Sequence, residues 1–249
     1  MVELYRQVDA GTISLKDRLV VGPNISWTFA SGHLRMLKDR PELSVGDLCR
    51  LMIYVSDDMA TDVLMDRVGL LNVNATLAGL GIENTRVNMT MGEWHYPMVN
   101  MAGLPTNDEN DKKALAFKRA GVRNYDAISY SDSIKNNVAS PRDLAKLLRL
   151  IHERKLVSAS ASDGMLEMLK SCQNRNMIPK HISEDVVIAH KHGSSGRIKG
   201  DAGVVYLPSR PLIITAFAYG SDDKAGPQDA IARLAFLAVK AFAFDKVIQ

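Results

Sequence analysis

Cysteine is nearly absent from this 249-residue chain, with only Cys49 and Cys172 present. Two thiols can close one bridge but cannot build a disulfide framework, so a stapled small scaffold is excluded. A surplus of one charge is also missing: 31 basic residues face 28 acidic ones, for a net charge of +3. That balance does not supply the basic footprint of a nucleic-acid binder. No run reaches the ~18 apolar residues of a membrane span. The opening residues have neither the basic start nor the apolar stretch of a signal peptide. A glycine-rich phosphate loop, internal repeats and low-complexity tracts are lacking too. What remains is an ordinary globular composition, 46% hydrophobic and 24% charged, in a chain long enough for a substantial core.

Residues 1–10 are helical in pattern, with Gly11 suited to the C-terminal cap. The spacing of Val45, Leu48, Leu51, Met52 and Val55 predicts a helix opened by Ser44 and Asp47. Two more helices are expected over Met59–Val68 and 72–80. The stretch 89–137, with Gly92, Pro97, Gly103, Pro105 and an acidic cluster at 108–111, reads as long loops with one short helix. Ser140 and Pro141 suit the cap and first position of a helix whose apolar face is Leu144, Leu147, Leu148 and Ile151. A further helix is expected around 164–172. Extended runs follow at 185–190, 201–207 and 212–219, and the turn at 208–211 joins the last two as a hairpin. Gly226 and Pro227 open a closing helix. Helices, then strands, then one helix predict an α+β fold with a segregated antiparallel sheet. We read residues 1–249 as one domain, its helical part about 12–180 and its sheet and closing helix about 181–249.

Two short elements could carry chemistry. Ser56-Asp57-Asp58 lies between two helices, where a serine can relay a proton; helix capping by Ser56 or Asp58 explains the same residues. Lys191-His192-Gly193 follows the run that ends at His190. Its lysine could attract a carboxylate, and its glycine would open the strand's backbone to a ligand; taken alone, a strand ending in a basic turn explains it better. His190 and His192 alternate and so share a face, but two histidines fall short of the three or four ligands of a zinc site. Cys49 is expected to be a buried free thiol.

Taken together, these elements resemble the class A β-lactamases and their penicillin-recognising relatives. Leu48–Asp66 is similar to the family's serine-aspartate-asparagine segment, and Ala189-His-Lys-His-Gly193 to its lysine-threonine-glycine strand. Gly81–Arg86, Asn137–Leu144 and Gly200–Val205 resemble the segments expected between and after, so the resemblance runs from Met1 to about Phe242. It implies a helical subdomain beside an antiparallel sheet flanked by helices. It also implies hydrolysis of a β-lactam amide through an acyl-serine intermediate. In that scheme Ser56 relays protons and Lys191 supports charge, while Asp58, His192, Gly193, Ser194 and Arg197 bind substrate. No cofactor and no metal are implied. The partner is a small molecule, a β-lactam or a peptidoglycan-like amide or ester, with no nucleic acid and no membrane. Export to the periplasm is the family's habit when a signal peptide is present.

The departures from the family pattern are informative. The family nucleophile is a serine three residues before a lysine at the start of a buried helix. Val2–Asp17 resembles the second half of that helix, which puts the nucleophile ~7 residues before Met1. Ser133 and Lys135 have the wrong spacing, and no serine precedes a lysine by three within a helix start. The chain is therefore expected to lack the family's first strands and first helix, and to be inactive as it stands. Asp58 replaces an asparagine that can donate a hydrogen bond; an ionised carboxylate only accepts. His192 replaces a threonine or serine. No Glu-x-x-Leu-Asn motif is found, which leaves Glu93 as the weak candidate for a general base. A peptidase or esterase of the same fold, or a non-catalytic binding module, are the alternative readings. The strand 212–219 is apolar on both faces, and as a bare edge it is expected to drive self-association.

Overall fold

The computed structural model describes residues 1–27, 29, 31–221, 223 and 225–243. The chain divides into two compact units, Met1–Ala139 and Ser140–Gln249.

The first unit is mostly helical. Helix α1 (Val2–Asp9) is followed by β1 (Arg18–Val20), which pairs antiparallel with β2 (Glu42–Ser44). Helices α2 (Val45–Tyr54), α3 (Asp58–Val68) and α4 (Leu70–Gly79) come next, then α5 (Met91–His95) and α6 (Asp108–Arg119). Ser44 caps α2 as its sequence predicts, accepting from the Asp47 amide. The α2 face carrying Val45, Leu48 and Cys49 is fully buried, and Met59 and Ala60 of α3 are fully buried too. Both cysteines are free thiols, so no bridge forms.

The region expected to be long loops is more helical than its composition suggests. The acidic cluster opens α6. Asn107 caps it, Asp108, Glu109 and Asp111 fill its first turn, and Lys118 and Arg119 fill its last. That polarity complements the helix dipole at both ends; it resembles a solvated loop only when its order is ignored. Ala114 of α6 packs with Phe29, Tyr96, Val99 and Met101 in a small core of its own.

The second unit is a layered α/β arrangement. Helices α7 (Pro141–His152) and α8 (Ala159–Lys170) precede three strands, β3 (Ile188–Ser195), β4 (Ile198–Tyr206) and β5 (Pro211–Tyr219), and α9 (Gly226–Ala243) closes it. The sheet order is β3-β4-β5, antiparallel throughout. Ser140 caps α7 with Pro141 inside its first turn, as expected. Ile188, Val205 and Ile214 pack with Ile231 and Ala235 of α9 on one face. Tyr206 points the other way and meets His152 of α7 and Lys170 of α8.

Strand boundaries differ from expectation, most of all at the end of β3. β3 continues through Lys191, His192 and Gly193 to Ser195, so these residues are strand and not a basic turn. Polar side chains hid the extension, because an edge strand tolerates them where a buried strand does not. Gly193 faces Gly200 across the ladder. The Phe217 ring lies over Gly200, where a Cβ would come within 2.6 Å of its Cδ1.

One glycine of the first unit is fixed by sterics. Gly32 has φ +114°, and a methyl group there would lie 2.8 Å from the Asp57 Cα and collide with its carboxylate. Gly32→Ala is therefore expected to destabilise the folded protein by about 3 kcal/mol. Urea unfolding of the variant beside wild type measures this.

Candidate functional site

The junction between α2 and α3 is built by carboxylates. Asp57 is fully buried and caps α3 by accepting from the Ala60 amide at 3.0 Å. The cap is thus Asp57, and neither Ser56 nor Asp58 as the sequence suggested. The other Asp57 oxygen accepts from the His33 and Leu34 amides at 2.6 and 2.9 Å. Asp58 accepts from the Ser31 amide at 2.7 Å and returns its own amide to the Ser31 carbonyl at 3.1 Å. One helical turn further on, Asp62 accepts from the Met91 and Gly92 amides at 2.6 and 3.0 Å.

Ser56 sits between the helices with φ +54°, the left-handed region that a side chain other than glycine rarely enters. Holding it there costs on the order of 1 kcal/mol. Such strain collects where a side chain is aimed at a ligand. Ser56 is half-buried, whereas Asp57 and Asp58 beside it are buried.

Burial moves the proton affinities around this junction toward neutrality. It raises the Asp58 carboxyl, with His95 opposing the rise. It pushes Asp62 up to about 7 against the pull of its two amide donors, with the negative charges of Asp58 and Glu93 adding to the rise. It lowers His95, whose Nδ1 lies 3.6 Å from Asp58 Oδ2. Lys118 is lowered by burial, then by Arg123 and Arg35. Among these groups Asp62 is brought to where it can exchange a proton near neutral pH.

Glu93 stands in the same unit but is engaged locally. Its carboxylate accepts from the Thr90 amide at 2.9 Å, and the Thr90 hydroxyl caps the Glu93 amide in return. This reciprocal capping box opens α5, and Glu93 is exposed.

The remaining predicted site residues lie in the second unit. Lys191, His192, Gly193 and Ser194 are consecutive on β3, and Arg197 follows in the turn to β4. Lys191 Nζ donates to the His192 carbonyl at 2.6 Å. Ser194 accepts from Gln228 Nε2 at 3.4 Å, while Gly193 and Ser194 are exposed. His192 Nδ1 lies 3.6 Å from Cys172 Sγ.

Sequence reasoning missed the work of Asp57, Asp62, His95 and Lys118. Asp62 follows Asp58 by four positions and so shares its helix face, which was a usable signal. His95 and Lys118 carry none, because only the fold brings them near Asp58. One serine does stand three residues before a lysine, Ser221 and Lys224, just ahead of α9. Lys224 lies outside the described residues. Among the described residues, no group of three or more His, Cys, Asp and Glu is arranged to hold a metal ion, and no helix is long and apolar enough to cross a membrane.

Asp62 gives a pH test. Its folded pKa of about 7 exceeds the unfolded value. The stability it contributes is therefore present below about pH 4 and lost as pH rises through about 7. Asp62→Asn removes the charge but leaves one backbone amide without an acceptor, costing about 1 kcal/mol at every pH. Melting scans from pH 4 to 8 are expected to fall for wild type and to run flatter for the variant. Parallel curves would refute the assignment.

The β-lactamase enzyme family matches residues 1–242. No curated protein matches the chain. Among solved structures, the β-lactamase from Sphaerobacter thermophilus is 27% identical, with a TM-score of 0.74, over 96% of this chain and 78% of that one. A β-lactamase from Chitinophaga pinensis is 23% identical, with a TM-score of 0.76, over 97% and 81% of the two chains. A variant of PBP-A, captured as its acyl-enzyme complex with penicillin G, is 24% identical, with a TM-score of 0.72, over 97% and 77%. The α+β architecture, the antiparallel sheet and a match over nearly the whole sequence lead to one conclusion: this chain belongs to the β-lactamase enzyme family.

Proposed function

We propose that this chain recognises β-lactams or related amides and esters, with Ser56 as a proton relay and β3 as the substrate edge. The observation that carries the reading is the left-handed Ser56 at the α2–α3 junction, in a chain of this family. A serine forced into that conformation, with Asp58, Asp62, His95 and Lys118 tuned nearby, suits proton transfer. Lys191 supplies positive charge for a substrate carboxylate. His192 and Arg197 add donors, and the exposed backbone at Gly193 and Ser194 admits a ligand edge-on. Asp58 differs in kind: its carboxylate is turned to the Ser31 amide, so its part in substrate binding is indirect.

The nucleophile of the acyl-serine scheme is not assigned to Ser56. Incubation with penicillin G is expected to leave the intact mass unchanged, with saturable, reversible binding visible by ligand-observed NMR. Lys191→Ala should weaken that binding about tenfold, the ~1.4 kcal/mol of one charge-assisted contact. A covalent adduct at Ser56 would overturn its role as relay, and absence of binding would overturn the reading as a whole.

A second reading, a penicillin-binding peptidase or esterase, gains from Glu93. A carboxylate closed into a capping box is poorly placed to activate a deacylating water, so an acyl group would turn over slowly.

We also propose self-association through β5. Among the described residues β5 pairs only with β4, and its Phe217 and Tyr219 are exposed. Sedimentation velocity should show a dimer that grows with concentration. A monomer at every concentration would exclude it.

A further inference from the structure

The second unit holds three residues that the serine chemistry does not use, Cys172, His190 and Asp201, grouped beside His192. Cys172 follows the C-terminus of α8, its amide bonded to the Leu169 carbonyl at 3.3 Å. His192 of β3 reaches its sulfur, with Nδ1 3.6 Å from Sγ. His190, two residues back, shares that face of the strand. His190 is itself oriented from behind. Its Nδ1 meets Asp201 Oδ1 at 3.0 Å and Oδ2 at 3.3 Å. Asp201 is fixed in turn by the Ile178 amide at 3.0 Å.

The strand register installs this arrangement. His190 lies opposite Gly203 on β4, and a Cβ at Gly203 would come within 2.5 Å of the His190 Cβ. His190 and Asp201 are almost fully buried, at 2% and 1% exposure. Cys172 keeps 9% exposure, between a half-buried Ser171 and an exposed Gln173. A thiol beside one imidazole, with a second imidazole held by a carboxylate on the same strand face, has the neighbours of an activated nucleophile.

We propose that Cys172, with His190 and Asp201 behind it, is a reactive thiolate site that takes small disulfides by thiol–disulfide exchange. In that step the Cys172 sulfur attacks one sulfur of the reagent. A new S–S bond forms, the reagent's S–S bond breaks, and the departing sulfur leaves with the electron pair as a thiolate. Cys172 is oxidised and the departing thiol is reduced, so no further oxidant is needed. The site stands apart from the reading of Ser56 and does not depend on it.

The electrostatics agree with the geometry. Burial favours the neutral thiol, but the imidazoles of His190 and His192, then the charge of Lys191, bring Cys172 down to about 5. Burial opposes the His190 charge, yet Asp201 and the thiolate raise that imidazole to about 9. The groups on the sulfur's side are thus His190 and His192 of β3, with Asp201 of β4 behind; Lys191 lies between them on the opposite face of the strand. On α8 itself, Lys170 is paired with Glu167. Cys49 is an internal control, fully buried and with its thiol raised by burial.

The test uses the intact protein and hydroxyethyl disulfide, a small neutral probe, with peptide mapping by mass spectrometry from pH 5 to 9. Cys172 should form the mixed disulfide at rates that agree within about twofold at pH 6 and pH 8, with Cys49 unmodified. A rate that climbs about tenfold per pH unit between 6 and 8, as for an ordinary thiol, would overturn the proposal. So would a Cys172 that reacts only after denaturation. His190→Gln and Asp201→Asn should each cut the pH 6 rate by tenfold or more and restore the alkaline rise. A folded His190→Gln protein with the wild-type profile would also overturn it, and if neither variant folds the wild-type profile decides.

Discussion

Buried backbone amides must find acceptors, and in the first unit three carboxylates of α3 supply them. Asp57, Asp58 and Asp62 together satisfy six backbone N–H groups, from Ser31, His33, Leu34, Ala60, Met91 and Gly92. An amide buried without a partner costs about 1–3 kcal/mol, so Leu34 and the first turn of α5 at Gly92 can be buried because these carboxylates bring acceptors to them. The left-handed Ser56 depends on the same device, since it is clamped between a helix end and a capped helix start. The polar cluster at the junction is therefore structural first, and its shifted proton affinities follow from that burial.

Features written in adjacent residues were readable in advance. Ser44 and Ser140 accept from amides three positions on, and Pro141 needs no amide partner in the first turn, so their roles are visible in the sequence. The turn at 208–211 and the hairpin it makes are equally local. Three readings failed for identifiable reasons. Helix α6 was hidden because its charges were counted without regard to order. The length of β3 was hidden because Lys191 and His192 are polar on a strand that can carry them. The cap of α3 was placed on Ser56 or Asp58, since Ser, Asp and Asp in a row offer three cap candidates and local preference cannot rank them.

The site was legible only as motif order. Ser56 and Lys191 emerged from a family pattern and not from any local physics that distinguished them from a cap and a turn. The Cys172, His190 and Asp201 cluster could not be seen at all. Its members are drawn from a helix terminus and two strands, and the strand register brings them together. The two histidines were recognised as sharing a face, but the thiol beside them came from the end of α8. A search confined to metal ligands or to a single motif passes over such an arrangement.

Burial changes along β3 from complete at Ile188, Ala189 and His190 to slight at Gly193 and Ser194. The outer half rests on a Gly193–Gly200 pair, shielded at Gly200 by the Phe217 ring. Local opening free energy follows such gradients. The inner half of the strand therefore holds register, while the outer half can breathe without unfolding the sheet. One strand thus combines a rigid anchor with a compliant tip, and the tip can change shape at little cost to the rest of the fold.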